Sequence, residues 1–164
     1  MTASLRLRPP RHRADPRAVA WWTVQTLLAA VPVAGAAIWA YWRFTDRPAW
    51  LGALLVVFVL LCAGFVLVVP RVYYRTGRWE ATEDAVYTRT GLLTRTWRIA
   101  PMSRVQTVDT VRGPVQRLFG LADVTVTTAS AAGPLKIEGL DEKLAAELAE
   151  RLTAITQSTP GDAT

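Results

Sequence analysis

The chain has 164 residues, of which 51% are apolar, and a formal net charge of +6 carried by 17 arginines against 2 lysines. A single cysteine, Cys62, excludes an internal disulfide, and the one histidine, His12, lies in an arginine-rich tail. A pI of 10.2 would suggest nucleic acid for a soluble chain. Here the apolar residues concentrate between Ala18 and Val69, and much of the basic excess lies before them, which favours a membrane reading over a nucleic-acid one.

Residues 1–17 read as a basic N-terminal tail, with Arg6, Arg8, Arg11, Arg13 and Arg17 against Asp15. Ala18–Trp42 and Ala49–Val69 are uncharged and, at a rise of about 1.5 Å per residue, reach about 37 and 31 Å, enough to cross a hydrocarbon core. Trp21, Trp22, Trp39, Trp42 and Trp50 stand near the ends of these runs, where an aromatic belt would lie. Pro32 is expected to kink the first span, and Ala30, Ala34, Ala36 and Ala40 offer small residues for a close helix contact. A connection as short as 43–48 forces an antiparallel hairpin. Five arginines before it and Arg71, Arg75 and Arg78 after it, against Arg43 and Arg47 between, predict a multi-pass plasma-membrane protein with both termini in the cytoplasm. A cleaved signal peptide is the rival reading of the first run. It is disfavoured by the run's length and by the second span that follows at once.

From Pro70 the composition changes to Val, Thr, Tyr and Trp broken by turn residues. Strands are expected near Val72–Thr82, Ala85–Thr90, Leu93–Ile99, Val105–Val111, Val124–Thr128 and Leu135–Glu138, with Leu93, Trp97 and Ile99 sharing an inward face. Asp141 is a candidate N-cap for a last helix with an apolar stripe of Leu140, Leu144, Leu148, Leu152 and Ile155. Residues 70–157 thus form a small domain, and 158–164 a polar, disordered tail.

The stretch Ser103, Arg104, Gln106, Asp109, Arg112, Gln116 and Arg117 is dense enough to be a site or the polar skin of a small β-rich fold. Catalysis would need a nucleophile with a base, paired carboxylates or a metal cluster. The domain has no His and no Cys, and its acids have no pairing motif, so neither an enzyme nor a cofactor or metal site is expected. The other candidate is the hairpin around Leu92 and Leu93 between Arg89 and Arg95. With Arg71, Arg75 and Arg78 it supplies candidate membrane-surface contacts; against that, Leu93 would be core and Leu92 would cover a neighbouring strand.

The pieces Gly91-Leu92-Leu93, Pro101 with Arg104-Val105-Gln106 and Val108, Gln116-Arg117 and Gly120-Leu121 resemble the bacterial pleckstrin-homology-like (PH) module of YdbS-like membrane proteins, over roughly Thr82 to Thr156. The resemblance implies an α+β domain: a bent antiparallel sheet or open barrel of seven strands, closed by the C-terminal helix, after a two-helix transmembrane hairpin. It implies no activity. Gly91, Pro101, Arg104, Gln106, Arg117 and Gly120 are then the signature residues. For Arg104, Gln106, Arg117 and Gly120 the expected role is to hold the strand–turn–strand unit. Eukaryotic phosphoinositide-binding relatives carry basic residues in the first hairpin, where this chain has Glu83-Asp84. Two functions follow: a membrane-anchored interaction or scaffold module, assembling with itself or with a related multi-copy PH-domain membrane protein, and a lipid-headgroup sensor reading the anionic inner leaflet. Besides the bilayer, a homo-oligomer is the expected partner; nucleic acid is not.

Overall fold

The computed structural model describes residues 10–43, 48–91, 96–129 and 133–158. They fall into two compact units. One comprises 19–72, and the other joins the first eighteen residues to Tyr73–Thr164.

The first unit holds two long helices, α1 (Arg17–Arg43) and α2 (Ala49–Thr76), which reach beyond it at their outer ends. Leu28, Val31, Leu60 and Leu61 are more than 60% exposed on them, surface that only lipid or other helices would cover. Both helices pass the length and hydropathy requirements of a membrane span. Trp39, Trp42 and Trp50 are exposed near the ends that face the connection. Ala37 and Ala40 line an apolar groove of about 300 Å³ with Tyr41, Leu51, Leu54 and Phe58.

α2 continues through Pro70, so the expected strand from Val72 is corrected to helix as far as Thr76. The pyrrolidine ring removes one backbone donor, but Pro70 is buried and Arg71 folds its guanidinium back onto Leu67 O, 2.5 Å away. The helix ends where Gly77 donates to Tyr73 O at 2.8 Å. A Cβ on Gly77 would lie 2.9 Å from that same oxygen, so the turn from helix to strand requires glycine.

The strands are β1 (Arg78–Ala81), β2 (Ala85–Thr90), β3 (Thr96–Pro101), β4 (Val105–Val111), β5 (Leu121–Thr128) and β6 (Leu135–Asp141). They form two antiparallel three-stranded sheets, ordered β1-β2-β3 and β4-β5-β6. A single 3-10 turn, Met102–Arg104, carries the chain from one sheet to the other. A short helix α3 (Pro114–Phe119) joins β4 to β5, and α4 (Glu142–Ser158) follows β6. The described residues hold six strands, one fewer than the seven implied by the resemblance. The place beside β1 is taken by an isolated antiparallel bridge from His12.

Val86, Val124, Val126, Leu121, Leu140 and Leu152 are fully buried, and the core they belong to also takes in Trp79, Ala100, Met102 and Ile137. Two inward faces differ from expectation. In β3 it is Ala100 that is buried, while Ile99 is 43% exposed, so Trp97 and Ile99 lie on the outer face. On α4 Leu144 is exposed, and Ala145 takes its place beside Leu148 and Leu152. Asp141 is the cap, with Oδ1 accepting from Lys143 N at 3.0 Å.

Gly120 ends α3 with φ +64° and donates to Arg117 O at 3.3 Å. A non-glycine residue in this left-handed region costs about 1 kcal/mol or more, and a Cβ would also meet Arg17 Nη1 at 3.2 Å. Gly120→Ala is therefore expected to lower the unfolding midpoint of the full-length chain in detergent. A midpoint equal to wild type would contradict this account of the cap.

Candidate interaction surfaces

The second unit begins with a segment that looks like a free tail in the sequence. His12 N donates to Trp79 O at 3.0 Å, and Trp79 N donates to His12 O at 2.9 Å. The Trp79 indole donates to Arg13 O at 3.2 Å, and the Arg13 guanidinium lies 5.9 Å from the Tyr74 ring centre. Asp15 N donates to Gly139 O at 2.8 Å. Arg17 completes the attachment, donating to Asp15, to Phe119 O at 3.2 Å and to Asp141 Oδ2 at 2.5 Å. The N-terminal segment thus forms the edge of the first sheet and clamps the α3–β5 and β6–α4 corners. Arg17 bonding holds the Asp15 and Asp141 carboxyls below the usual range. That stabilisation is present above the unfolded carboxyl pKa and is lost as pH falls through the lowered folded values.

A second network explains the Gln116-Arg117 pair. Gln116 is buried; its Oε1 accepts from Gly113 N at 2.6 Å, while its Nε2 is enclosed without a hydrogen-bond partner. The register of β5 against β6 shifts between Ala122 and Val124, and Asp123 Oδ1 there accepts from Gly139 N at 2.8 Å. Burial nevertheless pushes the Asp123 carboxyl up, and Glu138 is raised by burial and by the neighbouring Asp123.

Arg104, Gln106 and Arg117 are exposed, and among the described residues their side chains make no hydrogen bond to buried backbone. Gln116 and Gly120 do the holding instead, together with Arg112, which pairs with Glu142. Arg112 and Gln116 stood in the dense stretch, but nothing in the sequence distinguished them from their exposed neighbours. Gly91 has φ 133° at the end of β2, and exposed Pro101 ends β3. Leu92, Leu93 and Arg95 lie outside the described residues, as does the polar tail from Thr159.

Two surfaces remain. The outer face of the first sheet carries Arg78 and Arg89 directly opposite each other, then Tyr87 opposite Ile99, with Arg89 opposite Trp97. The Arg89 guanidinium lies 5.6 Å from the Trp97 ring centre, and Arg78 Nη1 is enclosed without a hydrogen-bond partner. Arg71 and Arg75 are exposed on the last turns of α2. The other surface is β4, which forms one edge of the second sheet and is exposed at every position except Val105 and Val108. Among the described residues no group of three or more His, Cys, Asp or Glu side chains could hold a metal ion.

The transmembrane protein YdbS of Bacillus subtilis (strain 168) is 28% identical to this chain over 161 residues, covering 93% of the chain and 97% of the relative. No solved structure matches this chain. The Bacterial PH domain family model matches residues 17–156. Its span begins at the arginine that clamps the tail and ends on the last helix, so it takes in hairpin and domain together. A transmembrane hairpin followed by two three-stranded sheets and a closing helix, with this match over most of its length, makes the chain a member of the bacterial PH domain family.

Proposed function

We propose that this protein is a membrane-anchored interaction module that works by assembly rather than by chemistry. The observation that carries this reading is the contrast between two strand edges. The β1 edge is occupied by the chain's own His12, whereas β4 presents its outer edge with no backbone bond from another element among the described residues. An unpaired edge is a template for another strand. Anchoring in a bilayer confines such domains to a thin layer and raises their effective concentration. Crosslinking in native membranes at low expression should capture a homo-oligomer or a related PH-domain membrane protein. A chain that stays uncrosslinked would remove the reading.

A second reading, a sensor of anionic headgroups, is supported by the Arg78–Arg89 pair beside Trp97 and Ile99. Opposed like charges with an enclosed, unpartnered Nη1 suit an anion, and the neighbouring apolar side chains suit the acyl boundary. Selective binding of one headgroup at physiological salt, lost in Arg89→Ala, would favour it.

Either function is read as cytoplasmic. The bond between His12 and Trp79 supports a single side for both ends of the hairpin, and the arginine excess at those ends favours the inside. In a Cys62→Ser background, an impermeant thiol reagent on intact cells is expected to label Thr45→Cys and not Ser158→Cys. Labelling at position 158 would overturn the orientation.

A further inference from the structure

We infer that the occupant of the β4 edge is the β4 of a second copy of this chain, paired antiparallel about Val108; the inference rests on the interaction-module reading and adds the partner and the register. The strand reads Val105-Gln106-Thr107-Val108-Asp109-Thr110-Val111 and is nearly self-complementary. A two-fold interface needs residue i to meet j while j meets i. With the axis on Val108, Val108 meets its own copy, and Thr107 of each chain stands opposite Asp109 of the other. Thr107 already donates to Asp109 Oδ2 at 3.2 Å within the strand, so its hydroxyl is a suitable donor for that carboxylate. The irregularity between Val105 and Thr107 ends the regular pairing at Thr107, so the regular part of this register is Thr107–Asp109 of each chain.

The competing register puts the axis on Asp109. It is the more regular one, because the irregularity of β4 lies between Val105 and Thr107 and leaves Thr107–Val111 undistorted. That register sets two Asp109 carboxylates directly opposite each other. Like charges in directly opposed positions destabilise a sheet, and at such spacing their repulsion exceeds the gain from two further ordinary pairs. The Val108 register avoids the clash. Its regular part is short, so the pairing is weak in solution and depends on the membrane to concentrate the chains.

The rest of the surface is consistent with an open edge. No lysine, arginine or proline stands on β4, whereas edge strands that avoid association commonly carry them. Its one charge, Asp109, selects a register rather than blocking pairing.

The test uses the full chain in native membranes, as two fluorescently labelled populations at low expression, with energy transfer as the readout. Thr107→Asp sets a second carboxylate, at position 107, against Asp109 twice across the axis. It is expected to lower the associated fraction by about fivefold, a change equivalent to somewhat under one tenfold step in affinity. Adding Asp109→Lys to Thr107→Asp turns both contacts into ion pairs and is expected to restore transfer to near wild type. In the Asp109-centred register the same double variant would oppose two lysines and give no rescue. Slow amide exchange at Val124 and Val126 in each variant verifies that the domain is folded. Wild-type transfer that Thr107→Asp leaves unchanged, or that the double variant fails to restore, overturns the inference while leaving the interaction module standing. A wild-type chain without self-transfer that still captures another membrane protein also overturns it alone. Absence of both kinds of association overturns both.

Discussion

Replacing Pro10–Pro16 by a Gly-Ser linker of equal length in the full chain is expected to destabilise the PH-like domain by about 2–4 kcal/mol. The linker keeps the backbone groups but lacks the His12 ring against Trp79, the Arg13 guanidinium over Tyr74 and the Asp15 carboxylate that pairs with Arg17, and its greater backbone freedom releases four hydrogen bonds: two between His12 and Trp79, one from the indole to Arg13 O and one from Asp15 N to Gly139 O. Each contributes about 0.5–1.5 kcal/mol net, and an enclosed indole N–H left without its partner costs toward the upper end of that range. Trp79 is 9% exposed, so water does not freely replace the lost acceptor. The check is hydrogen exchange: the Trp79 amide, protected by His12 O, should exchange much faster in the linker variant. If its protection and the urea midpoint both match wild type, the segment is not part of the fold. Acid gives an independent version of the experiment. As pH falls through the lowered pKa values of Asp15 and Asp141, the wild type should lose stability that the linker variant, lacking Asp15, partly lacks already. Asp123 and Glu138 act in the opposite sense, because their raised pKa values favour the protonated fold at low pH. The difference between the two proteins isolates the clamp.

Leu140→Ala is expected to have the largest effect of any single truncation in the domain, about 2–5 kcal/mol. Leu140 has no exposed surface, stands opposite Ala122 in the β5–β6 register and immediately precedes the cap of α4. A cavity there cannot collapse easily. Ala122 is too small to fill it, and the backbone on both sides is fixed by the Asp123–Gly139 and Asp141–Lys143 bonds. A domain of this size is stable by roughly 5–13 kcal/mol, so the loss is a large fraction of the whole. Leu144→Ala, four residues later in the first turn of α4, is the control. Leu144 is 42% exposed, and its truncation is expected to cost well under half as much. Chemical unfolding of both variants in the same detergent checks the pair. Equal losses would mean that the stripe runs through Leu144 after all.

The contrast between Leu140 and Leu144 illustrates what the sequence alone made legible. Uncharged runs from Ala18 and Ala49 are long enough to be read as spans without any knowledge of packing, because length and absence of charge are local properties. Turn residues and β-branched runs marked β2 and β4 to the residue, since strand propensity and the Gly and Pro that interrupt it are local too. Asp141 was legible as a cap because its bond is to its own neighbour. What needed the tertiary structure was every choice between two chemically similar candidates. Pro70 ends a helix by rule, but here the ring is buried and α2 runs on to Thr76. Trp97 and Ile99 are apolar enough for a core, but pairing of Ala100 with Val86 fixes the opposite face inward. Arg104, Gln106 and Arg117 are as polar as Arg112 and Gln116, and only position decides which bind across the fold. Most of all, the arginine-rich segment before the first span reads as solvated charge. Its attachment depends on backbone bonds to Trp79 and Gly139, which lie 67 and 124 positions from His12 and Asp15, and no local pattern of residues encodes a partner at that distance.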